Sequence, residues 1–78
     1  MYMEINEFIK KFSSQFEDTD PSLFNESLNY RDLEEWSSLI ALSVIAMIDE
    51  EYNVTIKGDD LRLAANIGQL FTVVKSKA

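Results

Sequence analysis

No cysteine and no histidine occur in this 78-residue chain, and glycine and proline number only two and one. Without cysteine there can be neither a disulfide nor a thiolate metal ligand. Without histidine the commonest general base is missing, and Ser-His and Cys-His activation of a nucleophile go with it. Glycines at Gly58 and Gly68 alone cannot build a phosphate-cradling loop. Long apolar runs are also lacking: the longest, Leu39 to Ile48, is interrupted by Ser43 and is half of the about 20 residues a bilayer span needs. Met1 is followed by no basic leader region. These absences predict a cytoplasmic protein without membrane insertion, and not an enzyme.

Positive charge is scarce as well. Seven Lys and Arg face 14 Asp and Glu, a net charge of −7. That balance argues against nucleic acid as a partner, because phosphate binding needs a clustered basic surface. From Asp32 through Ile56 there are six acids and no base. Such a one-signed region is a solubility device or a surface that steers basic partners by long-range attraction, and charge alone leaves both open.

With 46% apolar residues and few helix breakers, the composition reads as one compact helical domain over residues 1–78. A domain of this size buries only about 60% of its unfolded surface, so its core must be made efficiently. From Tyr2 to Phe16, the residues Tyr2, Ile5, Phe8, Ile9, Phe12 and Phe16 fall three and four apart, the stripe of an amphipathic helix. Asp20 before Pro21 is an N-cap followed by proline at the first helical position, so a short helical turn is expected inside a long loop. Because long structureless loops are uncommon in compact domains, Leu23, Phe24, Leu28 and Leu33 are expected to tuck against the core, with Phe24 as the anchor.

A second helix is predicted from Ser38 to Tyr52, with Ile40, Ala41, Val44, Ile45, Ile48 and Tyr52 on its core face. The opposite face collects Leu39, Ser43, Ala46 and Glu50, with Leu42 and Asp49 at its edge. Leucines framed by carboxylates have the look of a docking strip, although a single exposed leucine needs no explanation. A short third helix is predicted over Asp59 to Leu63, with Val54 and Ile56 turned inward. A final helix follows Asn66 as its N-cap and carries Ile67, Leu70, Phe71 and Val74 on one face, with Lys75 and Lys77 suiting the dipole at its end. The predicted fold is all-α: a small antiparallel four-helix bundle of three long helices and one short one.

Few residues remain for chemistry. Paired carboxylates could do acid-base work, but acids confined to loops and polar helix faces leave little room for a water-excluding pocket. A calcium loop beginning at Asp49 fails, because Val54 stands where the sharp turn needs glycine and Asp60 where a bidentate glutamate belongs. No catalytic or metal-ligating residue is assigned. The serine pair Ser37 and Ser38 is different. The plain reading makes Ser37 an N-cap and Ser38 an indifferent first residue. The functional reading notes that a phosphate ester there would sit at the positive end of the helix dipole, beside donor N–H groups.

The segment "EEWSSLIALSVIAMIDEEYNVTI" resembles the region around the modified serine of acyl carrier proteins, where an Asp-Ser-Leu motif opens the second helix and an acidic run ending in an aromatic closes it. Ser38-Leu39 matches the Ser-Leu of that motif, and "DEEYNVTI" matches the closing run with Tyr52 as its aromatic. The likeness continues without a gap through "GDDL" to "ANIGQL", where Asn66 stands at the usual threonine. It covers the second half of the chain closely, and the first half through length, the helix stripe and the long loop.

The resemblance implies that Ser38 carries 4'-phosphopantetheine, taken from coenzyme A by a separate phosphopantetheinyl transferase, whose terminal thiol holds acyl groups as thioesters. It implies a docking surface at Leu39, Leu42, Asp49 and Glu50 for acyl-transferring and chain-elongating enzymes with basic patches, in fatty-acid or polyketide-type biosynthesis. It implies a monomer, and an interior beside Val44, Ile45 and Ile48 that can shelter an acyl chain. Two positions depart from the family. Ser37 replaces the aspartate that precedes the modified serine, which keeps a cap but loses a negative charge. Ser43 replaces an acid of the recognition face. These departures and Trp36 point towards a specialised carrier, and the loss of aspartate at Ser37 motivates the alternative of an unmodified carrier-like interaction module.

Overall fold

Glu4, just ahead of the first helix, accepts the Asn6 N–H on its carboxylate at 3.3 Å, and the helix it caps, α1, runs Ile5–Ser13 in the computed structural model, which describes residues 4–78. Phe8 and Phe12 are fully buried on the predicted stripe. The helix ends before Phe16, earlier than periodicity suggests. The reason is local: the hydroxyls of Ser13 and Ser14 donate to the carbonyls of Lys10 and Lys11 at 2.9 and 2.6 Å, and serine side chains that bond the backbone compete with helix continuation. Tyr2, the first residue of the predicted stripe, lies outside the described residues.

The stretch from 14 to 37 is held down by aromatic side chains. Phe16 is buried past the end of α1, with its ring 5.7 Å from that of Phe12 and 5.0 Å from that of Phe24. Asp20 caps the expected short 3-10 turn, Pro21–Leu23, by accepting the Ser22 N–H at 2.9 Å. Phe24 is the expected anchor and is buried, and Leu28 and Leu33 pack half-buried against the core. Leu23 does not tuck in: it is 51% exposed, because the turn points it outward while Phe24 takes the inward position.

A second 3-10 turn, Tyr30–Asp32, was not legible from apolar periodicity. Asn29 starts it by accepting the Arg31 N–H at 3.2 Å. It delivers Tyr30 to the centre of the core, where the ring is fully buried and its hydroxyl donates to the Leu61 carbonyl at 2.7 Å. Burial pushes that phenol up to about 12.

Helix α2 spans Ser38–Tyr52, with the predicted boundaries. Val44, Ile48 and Tyr52 are buried, and Ile40, Ala41 and Ile45 are partly so. Met47 joins them at 8% exposed, because α1 and the residues after it cover one side of the helix as well as its centre. Asn53 ends α2 in the left-handed region, φ 55° and ψ 40°, which asparagine tolerates better than most residues. Val54 and Ile56 point inward at 2% exposed each, then α3 follows at Gly58–Leu63. Helix α4, Ile67–Lys77, buries all four residues of its predicted face.

The start of α4 is tied to the long loop. A helix N-terminus leaves its first N–H groups without intrahelical partners. Here Ile67 N–H donates to the Leu28 carbonyl at 3.2 Å, Gly68 N–H to the Glu26 carbonyl at 2.9 Å, and Gln69 N–H to the Asn66 side chain at 2.8 Å. A Cβ at Gly68 would stand 3.1 Å from that same Glu26 carbonyl oxygen, so the close approach suits glycine.

The described residues form an all-helical fold without strands. Helix α1 packs on α2 and α4, and α3 packs on the same two helices. The Cα radius of gyration is 11.2 Å, close to the about 11.5 Å expected of a compact chain of this length.

Candidate functional site

The approach to α2 is built by Glu35 and Trp36. The Glu35 carboxylate accepts the N–H groups of Glu17, Asp18 and Thr19 at 2.7, 3.0 and 3.0 Å, and the Thr19 hydroxyl at 2.7 Å. These bonds, the Glu17 N–H foremost, hold the carboxyl below the ordinary glutamate range. Trp36 then lies over Phe16 and Tyr30, with ring centroids 6.3 and 5.0 Å away. Both ends of the long loop are thereby fastened immediately before the serine pair.

The two serines take different roles. Ser37 is extended, φ −154° and ψ 170°, and its hydroxyl oxygen accepts the Ile40 N–H at 3.2 Å, so it is the N-cap. Ser38 is the first helical residue and is exposed. Ser37 is exposed as well, so what separates the two is that the Ser37 oxygen accepts a backbone N–H and the Ser38 hydroxyl has no hydrogen bond among the described residues.

Leu39 and Leu42 are among the most exposed large apolar residues, at 74% and 62%. Asp49 and Glu50 are exposed near the other end of the helix. Eleven residues separate Ser38 from Asp49, which at 1.5 Å per residue is about 16 Å of helix. The third acid of that run differs. Glu51 pairs with Lys11 of α1 at 3.2 Å, a contact that raises the Lys11 ammonium above its ordinary value and sets it 5.0 Å from the Tyr52 ring. Among the described residues neither Asp49 nor Glu50 has such a partner, so their charge faces outward uncompensated. Ser43 is half-buried and lines a cleft between α2 and the end of α1.

A second cleft, of about 540 Å³, opens beside Ser38 between the start of α2 and α3. Its apolar wall is Trp36, Ala41 and Leu61, and two arginines, Arg31 and Arg62, line it with the serine pair. Arg31 Nη1 donates to the Arg62 carbonyl, and Arg62 pairs with Asp59. Arg31 Nε is buried without a partner. Sequence reading missed both arginines, because they lie 31 residues apart and in no motif. Val44 and Ile48 are fully buried and do not line this cleft.

No group of three or more acidic side chains suited to a metal ion occurs among the described residues, and no helix there is long and apolar enough to cross a membrane. Comparison of the chain with protein-family models, with curated proteins and with solved structures finds no match in any of the three.

Proposed function

We propose that this chain is an acyl carrier protein whose Ser38 bears a 4'-phosphopantetheine arm. The observation that carries the reading is the division of labour in the serine pair: Ser37 caps α2 while Ser38, followed by Leu39, presents an exposed hydroxyl at the first residue of the helix. The architecture that goes with it is the antiparallel four-helix bundle of that family.

The residues present suit such a group. Its phosphodiester is an anion, and the cleft at Ser38 is lined by two arginines, Arg31 with no carboxylate in an ion pair among the described residues and Arg62 paired with Asp59, in a chain otherwise rich in acid. Once attached, the arm supplies the reactive thiol that this chain lacks. In the loading step Ser38 Oγ bonds to the phosphorus of coenzyme A that bears pantetheine, and the pyrophosphate P–O bond breaks. The adenosine bisphosphate leaves, and the serine proton passes to the transferase. No general base is asked of this chain.

Partner enzymes dock on the outward face of α2. Covering Leu39 or Leu42 is worth about 1.5–3 kcal/mol relative to leaving it in water. Asp49 and Glu50 steer basic patches towards that strip and fix the register.

The test is intact mass after incubation with coenzyme A and a carrier-protein transferase. The wild type is expected to gain one phosphopantetheinyl group and Ser38→Ala none. Gain in Ser38→Ala would move the site to another residue. No gain in the wild type would favour an unmodified module that binds partners through the same acidic helix.

A further inference from the structure

Of the five principal clefts among the described residues, four include at least one carboxylate in their walls, and the cleft beside Ser38 includes none. It is lined instead by two of the chain's seven cationic side chains. Arg31 is the more unusual of them. It is half-buried, pairs with no carboxylate among the described residues, spends one Nη1 donor on the Arg62 main chain and leaves Nε covered and unsatisfied. Among the described residues, the four ion pairs formed by Lys and Arg side chains leave this guanidinium out, so its charge-assisted bonding capacity is not taken by a carboxylate. Arg62 lies on the other wall, its main-chain carbonyl bonded by Arg31 and its exposed guanidinium paired with Asp59.

Resting on the carrier reading, we propose that Arg31 and Arg62 form an anion cradle for the phosphodiester attached to Ser38, with Trp36, Ala41 and Leu61 covering the branched apolar carbon that follows it in the arm. The cleft thus holds the near end of the arm against the protein, and only the far end, with its thiol, sweeps through solvent. Such docking shortens the reach of the thiol and lets a partner release the arm by drawing off the phosphate with its own basic residues. A charge-assisted contact to a phosphate is the interaction for which a guanidinium's planar fork is best suited. The apolar wall matches a group with no hydrogen-bonding demand of its own.

Trp36 is the only tryptophan, so its emission reports on this cleft. The experiment compares unloaded and loaded protein, the arm carrying no acyl group, so that a carboxylate on a cargo cannot be the anion detected. Loading of the wild type is expected to shift Trp36 emission and to give a phosphorus resonance that relaxes with the slow tumbling of the whole protein. In Arg31→Gln and Arg62→Gln the emission shift should shrink and the resonance sharpen. Salt of about 1 M, where the screening length falls to about 3 Å, should do the same to the wild type. Arg31→Lys should restore part of the effect, since it returns the charge without the fork.

A sharp resonance in the loaded wild type, with Trp36 emission unchanged, would overturn the cradle while the gain in mass still supported the carrier. No gain in mass would overturn the carrier reading, and the cradle with it. Far-ultraviolet circular dichroism checks the variants. If Arg31→Gln loses helix, the exposed Arg62→Gln and the salt series decide alone.

Discussion

Glu35 holds Thr19 by two bonds to one carboxylate oxygen, the Thr19 N–H at 3.0 Å and the Thr19 hydroxyl at 2.7 Å, and its other oxygen takes the Glu17 N–H. This carboxylate closes the long loop immediately ahead of the serine pair, and the bonds depend on its ionised state. Because the folded protein holds the Glu35 carboxyl below its ordinary value, the unfolded chain binds this proton more readily. The stabilisation is therefore complete above the unfolded glutamate value of about 4.3 and is lost as pH falls through the lower folded one. Glu35→Gln is expected to lower the urea midpoint at neutral pH, and the gap from wild type should narrow in acid. An equal gap at both pH values would show that ionisation of this carboxyl contributes nothing.

Tyr30 gives a prediction at the other end of the pH scale. The folded protein holds its phenol up to about 12, so its contribution is complete below the ordinary value of about 10 and disappears as pH rises through the folded value. In an alkaline titration followed by tyrosinate absorbance, the signal missing from Tyr30→Phe should be the latest to appear. Tyr30→Phe also leaves the Leu61 carbonyl without its partner, a loss of about 1 kcal/mol readable from denaturant melts. Tyr30→Ala, which empties a ring-sized site in the core, should cost about 3–5 kcal/mol.

The helical elements were legible because their signals are local. Asp20-Pro21, Ser37 and Asn66 each sit where a cap belongs, and the structure begins the three corresponding elements on the next residue. Periodicity found the buried faces of α2 and α4 for the same reason. It overran at Ser13 and Ser14, where the stripe continues to Phe16 but the hydroxyls divert the backbone. What could not be read was long-range. Glu35 meets residues 16 to 18 positions away, and Arg31 and Tyr30 meet residues 31 away, so only the folded chain brings them together. An Asx-turn at Asn29 was the one local hint that Tyr30 would be turned inward. At the candidate site the order of the serine pair was legible, while the arginines beside it were not.

The serine pair should separate stability from modification. Ser37→Ala removes the oxygen that accepts the Ile40 N–H, and loss of such a cap costs about 1 kcal/mol. Ser38→Ala removes an exposed hydroxyl at a position where alanine is a good helix former, so its melting curve should match or slightly exceed the wild type. Mass spectrometry of the loaded variants should give the opposite ranking, with Ser37→Ala modified and Ser38→Ala not. Ser37→Asp keeps a cap and adds a negative charge at the positive end of the dipole, and it is expected to melt above the wild type by about 0.3–1 kcal/mol.

The outward face of α2 should show two kinds of binding energy with different salt dependence. Asp49 and Glu50 are exposed, so their attraction to a basic partner is screened over about 8 to 10 Å at physiological ionic strength. Reversing both charges should weaken binding to a partner enzyme, with greater loss at low salt than at high, and should act mainly on the association rate. Leu42→Ala removes exposed apolar area that a docked partner would cover on the carrier reading, so its loss should be nearly the same across the salt series and appear mainly in the dissociation rate. Neither change touches a buried side chain, so helix content and melting should stay close to wild type. Affinity that is indifferent to salt in the charge-reversed protein and in the wild type alike would remove steering from the account and leave the leucine strip as the sole determinant of docking.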